Sequence, residues 1–191
     1  MKNSFNLSLL LHVCCAPCAG GIIETLVQEG VRFTLYFYNP NIYPRKEYWQ
    51  RKNEIQRFAE KSGVSFIDED DTADLWFERT KGLETEPERG LRCKVCFDMR
   101  LERAAHYAHN NGYNILGTTN GISRWKDASQ VNNALINATK AYPGLDYLDR
   151  DWRKHGGMER MSAITKKEGF YRQTYCGCLY SLQMIKNKKT L

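Results

Sequence analysis

The sequence predicts an α/β fold: an open parallel sheet with helices on both faces. Short apolar or β-branched runs alternate with longer helix-periodic segments four or more times along the 191 residues, which is the pattern of repeated strand–helix units. No internal repeat, low-complexity segment or long linker interrupts that alternation, so a single domain over 1–191 is expected.

Ser8 to Val13 is an apolar run of strand length and reads as a buried first strand. The turn C-C-A-P-C leads from it into a helix ending near Gly30. Val31 to Tyr38 is rich in β-branched and aromatic residues and alternates, giving a second strand; N-P-N-I-Y-P turns the chain into a charged helix from about Lys46 to Ser62. Val64 to Ile67 reads as a third strand and Asp71 to Thr80 as a short helix. The polar, Gly- and Pro-broken G-L-E-T-E-P-E-R-G is a loop. It delivers R-C-K-V-C into a long helix whose Leu101, Ala104, Ala105 and Ala108 share one face. Tyr113 to Gly117 gives a fourth strand, Lys126 to Lys140 another helix, and the chain beyond Tyr142 a last short strand and helices.

In folds of this kind ligands bind beyond the carboxyl ends of the strands. Cys14 follows strand one, Asn39, Asn41 and Tyr43 follow strand two, and Thr118 and Thr119 follow strand four, so all of them fall at that rim.

Seven cysteines fall into three tight groups: Cys14, Cys15 and Cys18; Cys93 and Cys96; Cys176 and Cys178. A chain this long buries enough surface to fold without disulfide staples, and the odd count with no export signal favours a reducing, cytoplasmic setting. No stretch is long enough to span a bilayer, so no membrane partner is expected. Thiols from three distant pieces of chain make a site rich enough in sulfur to hold an iron–sulfur cluster and still keep thiols for electron transfer. Cys93-x-x-Cys96 at a helix start is a metal hook, because the helix N-terminus favours thiolates. Adjacent Cys14 and Cys15 are unusual for zinc, whose ligands are normally spaced two to four residues apart, and suit the larger span of a cluster. In Cys176-Gly177-Cys178 the glycine permits the sharp bend of a small, easily reduced disulfide ring; the alternative is a further pair of ligands to an additional iron. Two other readings stay open on the residues alone. Cys15-Ala16-Pro17-Cys18 is the spacing of a thiol–disulfide oxidoreductase, and structural zinc would make the chain an RNA-binding module without catalysis.

The net charge of +6 with 28 Lys and Arg is compatible with a polyanionic partner such as RNA. Lys186, Lys188 and Lys189 are expected in a solvated tail, and the stretch around Arg150, Arg153 and Lys154 reads equally as a basic patch or an ordinary helix surface. His12, inside an apolar strand, reads as a hydrogen-bonded core histidine, and His106 and His109 as surface residues.

Taken together, L-L-L-H-V-C-C-A-P-C, Y-N-P-N-I-Y-P-R-K-E-Y-W-Q-R, R-C-K-V-C-F-D-M-R-L, S-R-W-K-D and Y-R-Q-T-Y-C-G-C-L-Y-S resemble the cobalamin-independent epoxyqueuosine reductases, the QueH family. The blocks run in the family's order from Leu9 to Ser181. The resemblance implies a Rossmann-like fold related to the nucleotide α-hydrolases, with cysteines where related folds carry a phosphate loop. It also implies a [4Fe-4S] cluster and reduction of epoxyqueuosine to queuosine in tRNA carrying it in the anticodon loop. Cys14, Cys15, Cys93 and Cys96 become the expected cluster ligands and Cys176 with Cys178 the expected redox pair, leaving Cys18 unassigned. Trp125 stands where the family pattern has a smaller aromatic. The electron donor is not identified; Asp98, Asp127 and Asp151 are the candidate proton donors. Tyr36, Tyr38, Tyr43, Trp49 and Trp125 supply aromatic surface for stacking, most of them expected to be core or ordinary packing, and Arg45, Lys46, Arg51 and Arg124 offer phosphate contacts.

Overall fold

A computed structural model describes residues 7–69 and 73–188. Five parallel strands form one sheet in the order β3-β2-β1-β4-β5: β1 Leu9–Val13, β2 Phe33–Phe37, β3 Ser65–Asp68, β4 Ile115–Thr118 and β5 Asp146–Tyr147. The chain runs outward from β1 to β3, returns to pair β4 with β1, and continues outward to β5. A sheet wound in two directions splays its connections apart where the direction reverses, and here the crevice opens beyond the carboxyl ends of β1 and β4. This is the Rossmann-like arrangement expected, and both Cys14 and Thr119 lie at that switch point.

Every residue of β1 is buried, as a central parallel strand requires when helices cover both faces. Leu9, Leu11 and Val13 pack on one face with Ile22, Ile23 and Leu26 of α1 (Ala16–Gln28) and with Ile55, Phe58 and Ala59 of α2 (Arg45–Lys61). Leu10, Tyr36 and Leu116 face the other side, against Leu101, Ala104, Ala105 and Ala108 of α4 (Leu91–Asn110) and against Val131, Ala134, Leu135 and Ala138 of α5 (Ala128–Lys140). The small residues on α4 let that helix lie close to the strands. α3 is a short helix, Asp74–Arg79; the expectation that it begins at Asp71 falls outside the described residues. Likewise α5 starts at Ala128, because Asp127 caps it, its side chain accepting from the N–H groups of Ser129 at 2.8 Å and Gln130 at 3.1 Å.

α6 (Gly157–Lys167) closes on α1 through two glycines. A Cβ at Gly20 would stand 2.8 Å from the Phe170 ring, and one at Gly21 3.1 Å from the Met161 backbone nitrogen. Neither position has room for a side chain, so the pair fixes how near α6 comes to the rim. α7 runs Leu179–Lys188, so Lys186 lies on a helix and not in a tail; Lys189 is outside the described residues. Arg150, Arg153 and Lys154 precede α6 in a loop instead of lying on a helix surface. Among the described residues no helix is long and apolar enough to cross a membrane.

Candidate active site

The Cys14, Cys15 and Cys18 sulfurs lie within 4.8 Å of one another at the end of β1, all three buried. Cys15 is the extended residue just before α1, and Pro17 occupies the helix's first turn, where its missing N–H costs nothing. This geometry gives Cys18, unassigned from sequence, a place beside the other two. Cys93 and Cys96 stand in the first turns of α4 and line a small inner cavity of about 20 Å³ together with Cys176, Cys178, Asn41, Trp76, Arg92 and Arg100. Cys176 also lines a larger outer cavity of about 350 Å³, shared with Cys15, Cys18, Arg51, Lys126, Trp125 and Arg172 among others. The three cysteine groups therefore meet around two adjoining cavities, with Cys176 common to both. All seven cysteines are free thiols.

Four cations surround the sulfurs from inside the protein. Arg51, Arg92, Arg100 and Lys126 are each at most 5% exposed. Burying a charge is costly unless it is paired and hydrogen-bonded, and among the described residues only Arg51 of the four has a carboxylate, Glu47 Oε1, at 2.7 Å from its Nε. Lys126 Nζ instead sits 3.4 Å from Cys14 Sγ. Hydrogen bonds from Cys15 and Cys18, then the nearby Lys126 and Arg100 charges, hold the Cys14 thiol well below its ordinary range despite burial. The donors move the other way: Cys15 is raised, and Cys18 is pushed up to about 12. For Lys126 burial acts to lower the ammonium, but the thiolates of Cys14, Cys176 and Cys18 outweigh it and the group is raised. Burial lifts Cys93 to about 11 and Cys178 to about 12.

Second contacts fix the frame. His12 bridges β1 to its neighbours, with Nδ1 3.1 Å from Thr118 Oγ1 and Nε2 3.1 Å from the Tyr38 carbonyl; burial foremost lowers it to about 3, so it is the neutral core histidine expected. Asn39 donates to the Val13 carbonyl at 2.9 Å and accepts from Arg100, which ties the ends of β1 and β2 to α4. Arg92 gathers the carbonyls of Leu83, Glu84 and Glu86, shaping the loop that precedes Cys93. Arg153 donates to the carbonyls of Ser123 and Lys126 at 2.8 and 3.1 Å and so pins the loop that carries Trp125.

The C-G-C loop is held as firmly. Arg51 reaches the Cys176 carbonyl at 3.1 Å and the Tyr175 carbonyl at 3.4 Å, the Tyr43 N–H donates to the Gly177 carbonyl at 2.8 Å, and Ser181 accepts from the Cys176 N–H while donating to Glu88. Gly177 has φ +128°, and a Cβ there would stand 2.9 Å from an Arg51 guanidinium nitrogen. Only glycine fits both demands.

Several expected roles do not survive this geometry. Asp98 pairs with Lys94 on the surface of α4, Asp127 is spent capping α5, and Asp151 belongs to a separate cavity of about 220 Å³ that no cysteine lines. None of the three lines either sulfur cavity. Arg51 is buried and committed to Glu47 and the C-G-C carbonyls, which removes it from phosphate contact, and Tyr36 and Tyr38 are core. Tyr43 and Trp49 are exposed, Arg45 lies over Trp49, and Trp125 borders the outer cavity with Arg124 stacked 4.9 Å from its ring. His106 and His109 are surface residues, as expected.

Comparison with known proteins gives this sulfur site a context. A family model described as epoxyqueuosine reductase QueH matches residues 9–184. The chain belongs to the QueH family of epoxyqueuosine reductases. Curated relatives bearing that name include those of Acinetobacter baylyi, 55% identical over 92% of this chain and 80% of the relative, and Histophilus somni, 55% identical over 92% and 72%. That of Haemophilus influenzae is 54% identical over 92% and 71%. Membership in QueH makes the chain an oxidoreductase by family. The matched span takes in all seven cysteines.

An iron–sulfur cluster fits the donor set. Arg92 Nε and a terminal nitrogen of Arg92, with Arg100 Nε, are buried donors at the inner cavity that meet no acceptor among the described residues. Buried donors of this kind need partners, and thiolate and sulfide are anionic acceptors. The surrounding cations supply the compensating charge.

Proposed function

We propose that this chain reduces epoxyqueuosine to queuosine at the wobble position of tRNA anticodons, the last step of queuosine biosynthesis, in the cytoplasm. The observation that carries the reading is Cys176, which borders both the outer cavity with Cys15, Cys18 and Lys126 and the inner one with Cys93, Cys96 and Cys178. A thiol so placed joins a space of about 350 Å³, ample for one unstacked nucleoside, to the sulfur-rich interior.

The residues divide by role. Cys14, Cys15, Cys93 and Cys96 would hold a [4Fe-4S] cluster, which when bound supplies single electrons at low potential. Cys18 lies beside Cys14 and Cys15 and is available to an additional iron. Turning the oxirane into an alkene consumes two electrons and two protons and releases the oxygen as water. The dithiol of Cys176 and Cys178 contains both: epoxide plus two thiols gives alkene, one disulfide and water. Lys126 sets the electrostatics at the site, its ammonium 3.4 Å from Cys14. Arg51 and Ser181 hold the C-G-C backbone in place during the change.

On the substrate side, the outer cavity is bordered by Arg51, Arg124, Lys126 and Arg172 and by no acidic side chain. Arg124 and Arg172 are the exposed members, suited to flanking phosphates, and the Trp125 indole offers a stacking face. An anticodon loop presents its wobble nucleoside unpaired, so turning it out requires little disruption of base pairs.

The test is mass spectrometry of nucleosides from tRNA carrying epoxyqueuosine, incubated with anaerobically purified protein and a strong reductant. Queuosine should appear, and iron with acid-labile sulfide should accompany the protein. Protein that holds stoichiometric zinc, contains no iron and leaves the tRNA unchanged would instead be a zinc-stabilised binding module.

A further inference from the structure

The two thiols of the C-G-C loop have unlike surroundings. Cys176 is partly exposed and borders both cavities. Cys178 is 8% exposed, borders only the inner cavity, and packs with Trp76, Cys96 and Met99. Volume decides what can approach each sulfur. A space of about 20 Å³ holds no more than a single water, whereas about 350 Å³ admits a nucleoside or a small thiol. Any molecule larger than water therefore reaches the pair from the Cys176 side. The backbone agrees with this asymmetry: the Cys178 sulfur already accepts the Ser181 N–H at 3.4 Å in the first turn of α7, while no hydrogen bond from the described residues occupies the Cys176 sulfur.

We propose that Cys176 is the exchanging sulfur of the pair, attacked by an external small-thiol reductant that enters through the outer cavity, and that Cys178 is the leaving sulfur. The proposal rests on the redox-pair reading above. In the oxidised pair the reductant's thiolate attacks Cys176 Sγ. A bond forms between the reductant sulfur and Cys176, the Cys176–Cys178 bond breaks, and Cys178 departs as a thiolate that takes up the proton released by the reductant. Burial works against that thiolate; the Ser181 N–H and the nearby Arg92 work for it. A second reductant thiol then attacks the reductant sulfur of the mixed disulfide, freeing Cys176 as a thiol and leaving the oxidised reductant as a disulfide. Two thiols thus give two electrons to the pair, and it returns to the dithiol.

The test maps sulfur by sulfur. Cys178→Ser and Cys176→Ser proteins, purified anaerobically with their metal retained, are exposed to oxidised glutathione, and the modified residue is located by peptide mass spectrometry. Glutathione is expected on Cys176 of the first variant at least about tenfold faster than on Cys178 of the second, since reactivity follows access. Limited labelling of reduced wild-type protein with a maleimide should mark Cys176 before Cys178, which guards against misfolding of a variant. Equal or faster modification of Cys178, or modification of neither, overturns the proposal. If the oxidised wild-type protein contains no Cys176–Cys178 bond, the redox-pair reading itself fails, whatever the labelling shows; a bond present with Cys178 reacting first overturns only the division of roles.

Discussion

Replacing Lys126 with methionine removes the ammonium set directly against the Cys14 sulfur. At the observed 3.4 Å, a unit pair attracts by about 5 kcal/mol at an effective dielectric constant of about 20. That figure bounds the effect from above. Arg100 and the hydrogen bonds of Cys15 and Cys18 remain in the variant, and the burial cost of the ammonium disappears with it. A thiolate also escapes the loss of its partner by taking up a proton, which a buried carboxylate does far less readily near neutral pH. The folded protein should accordingly lose only about 1–3 kcal/mol in urea unfolding, less than is usual for breaking a buried pair. The Cys14 titration should move clearly to higher pH. The assay is the ultraviolet thiolate absorbance of metal-free protein followed through a pH titration, with Lys126→Arg as the control that restores the charge. Coincident titrations of wild type and Lys126→Met would refute the electrostatic reasoning, as would a variant that recovers the wild-type curve without a cation.

Two further predictions concern the frame. Gly177→Ala places a side chain in a left-handed region reserved largely for glycine, costing about 1–3 kcal/mol, and sets a methyl 2.9 Å from a guanidinium that Glu47 holds in position; urea unfolding should show at least that loss, and unchanged stability would contradict the loop geometry. His12 binds protons more readily unfolded than folded, because burial lowers it from 6.5 to about 3. Its contribution to stability is therefore complete above pH 6.5 and declines as pH falls toward 3, by up to about 1.4 kcal/mol per pH unit. His12→Gln should flatten the acid limb of the stability curve relative to wild type, and parallel curves would show that His12 is not the group responsible.

Much of the architecture was legible because period and length speak locally. The unbroken apolar run of β1 and the small-residue stripe on α4 mark what is buried, and the β-branched and aromatic content of β2 marks it as a strand; its alternation does not mark a solvent face, because consecutive Leu35, Tyr36 and Phe37 are all buried under helices on both sides. The cysteine groups were legible for a different reason: thiols two or three residues apart announce a shared task even before their partners are known. The buried cations were not. Arg51, Arg92 and Arg100 occupy helix positions where a charged residue ordinarily meets water, and nothing nearby in the chain shows that sulfur from distant segments lies opposite. Arg100 stands four residues after Cys96, one turn along the same helix face, which was the available hint. The aspartates failed for the converse reason: Asp127 sits one residue from a site lysine in sequence, yet its side chain turns back to cap α5. Cys18 needed the helix itself, whose first turn brings its sulfur back beside Cys14.

We propose that Cys176 and Cys178 supply the reducing equivalents for epoxide removal beside a metal centre held by the other cysteine groups. A single turnover tests it most directly: fully reduced protein, freed of external reductant, is mixed with tRNA carrying epoxyqueuosine, and queuosine and the Cys176–Cys178 disulfide are both quantified by mass spectrometry. One disulfide should form for each queuosine produced. Queuosine accumulating while both thiols stay reduced would contradict it.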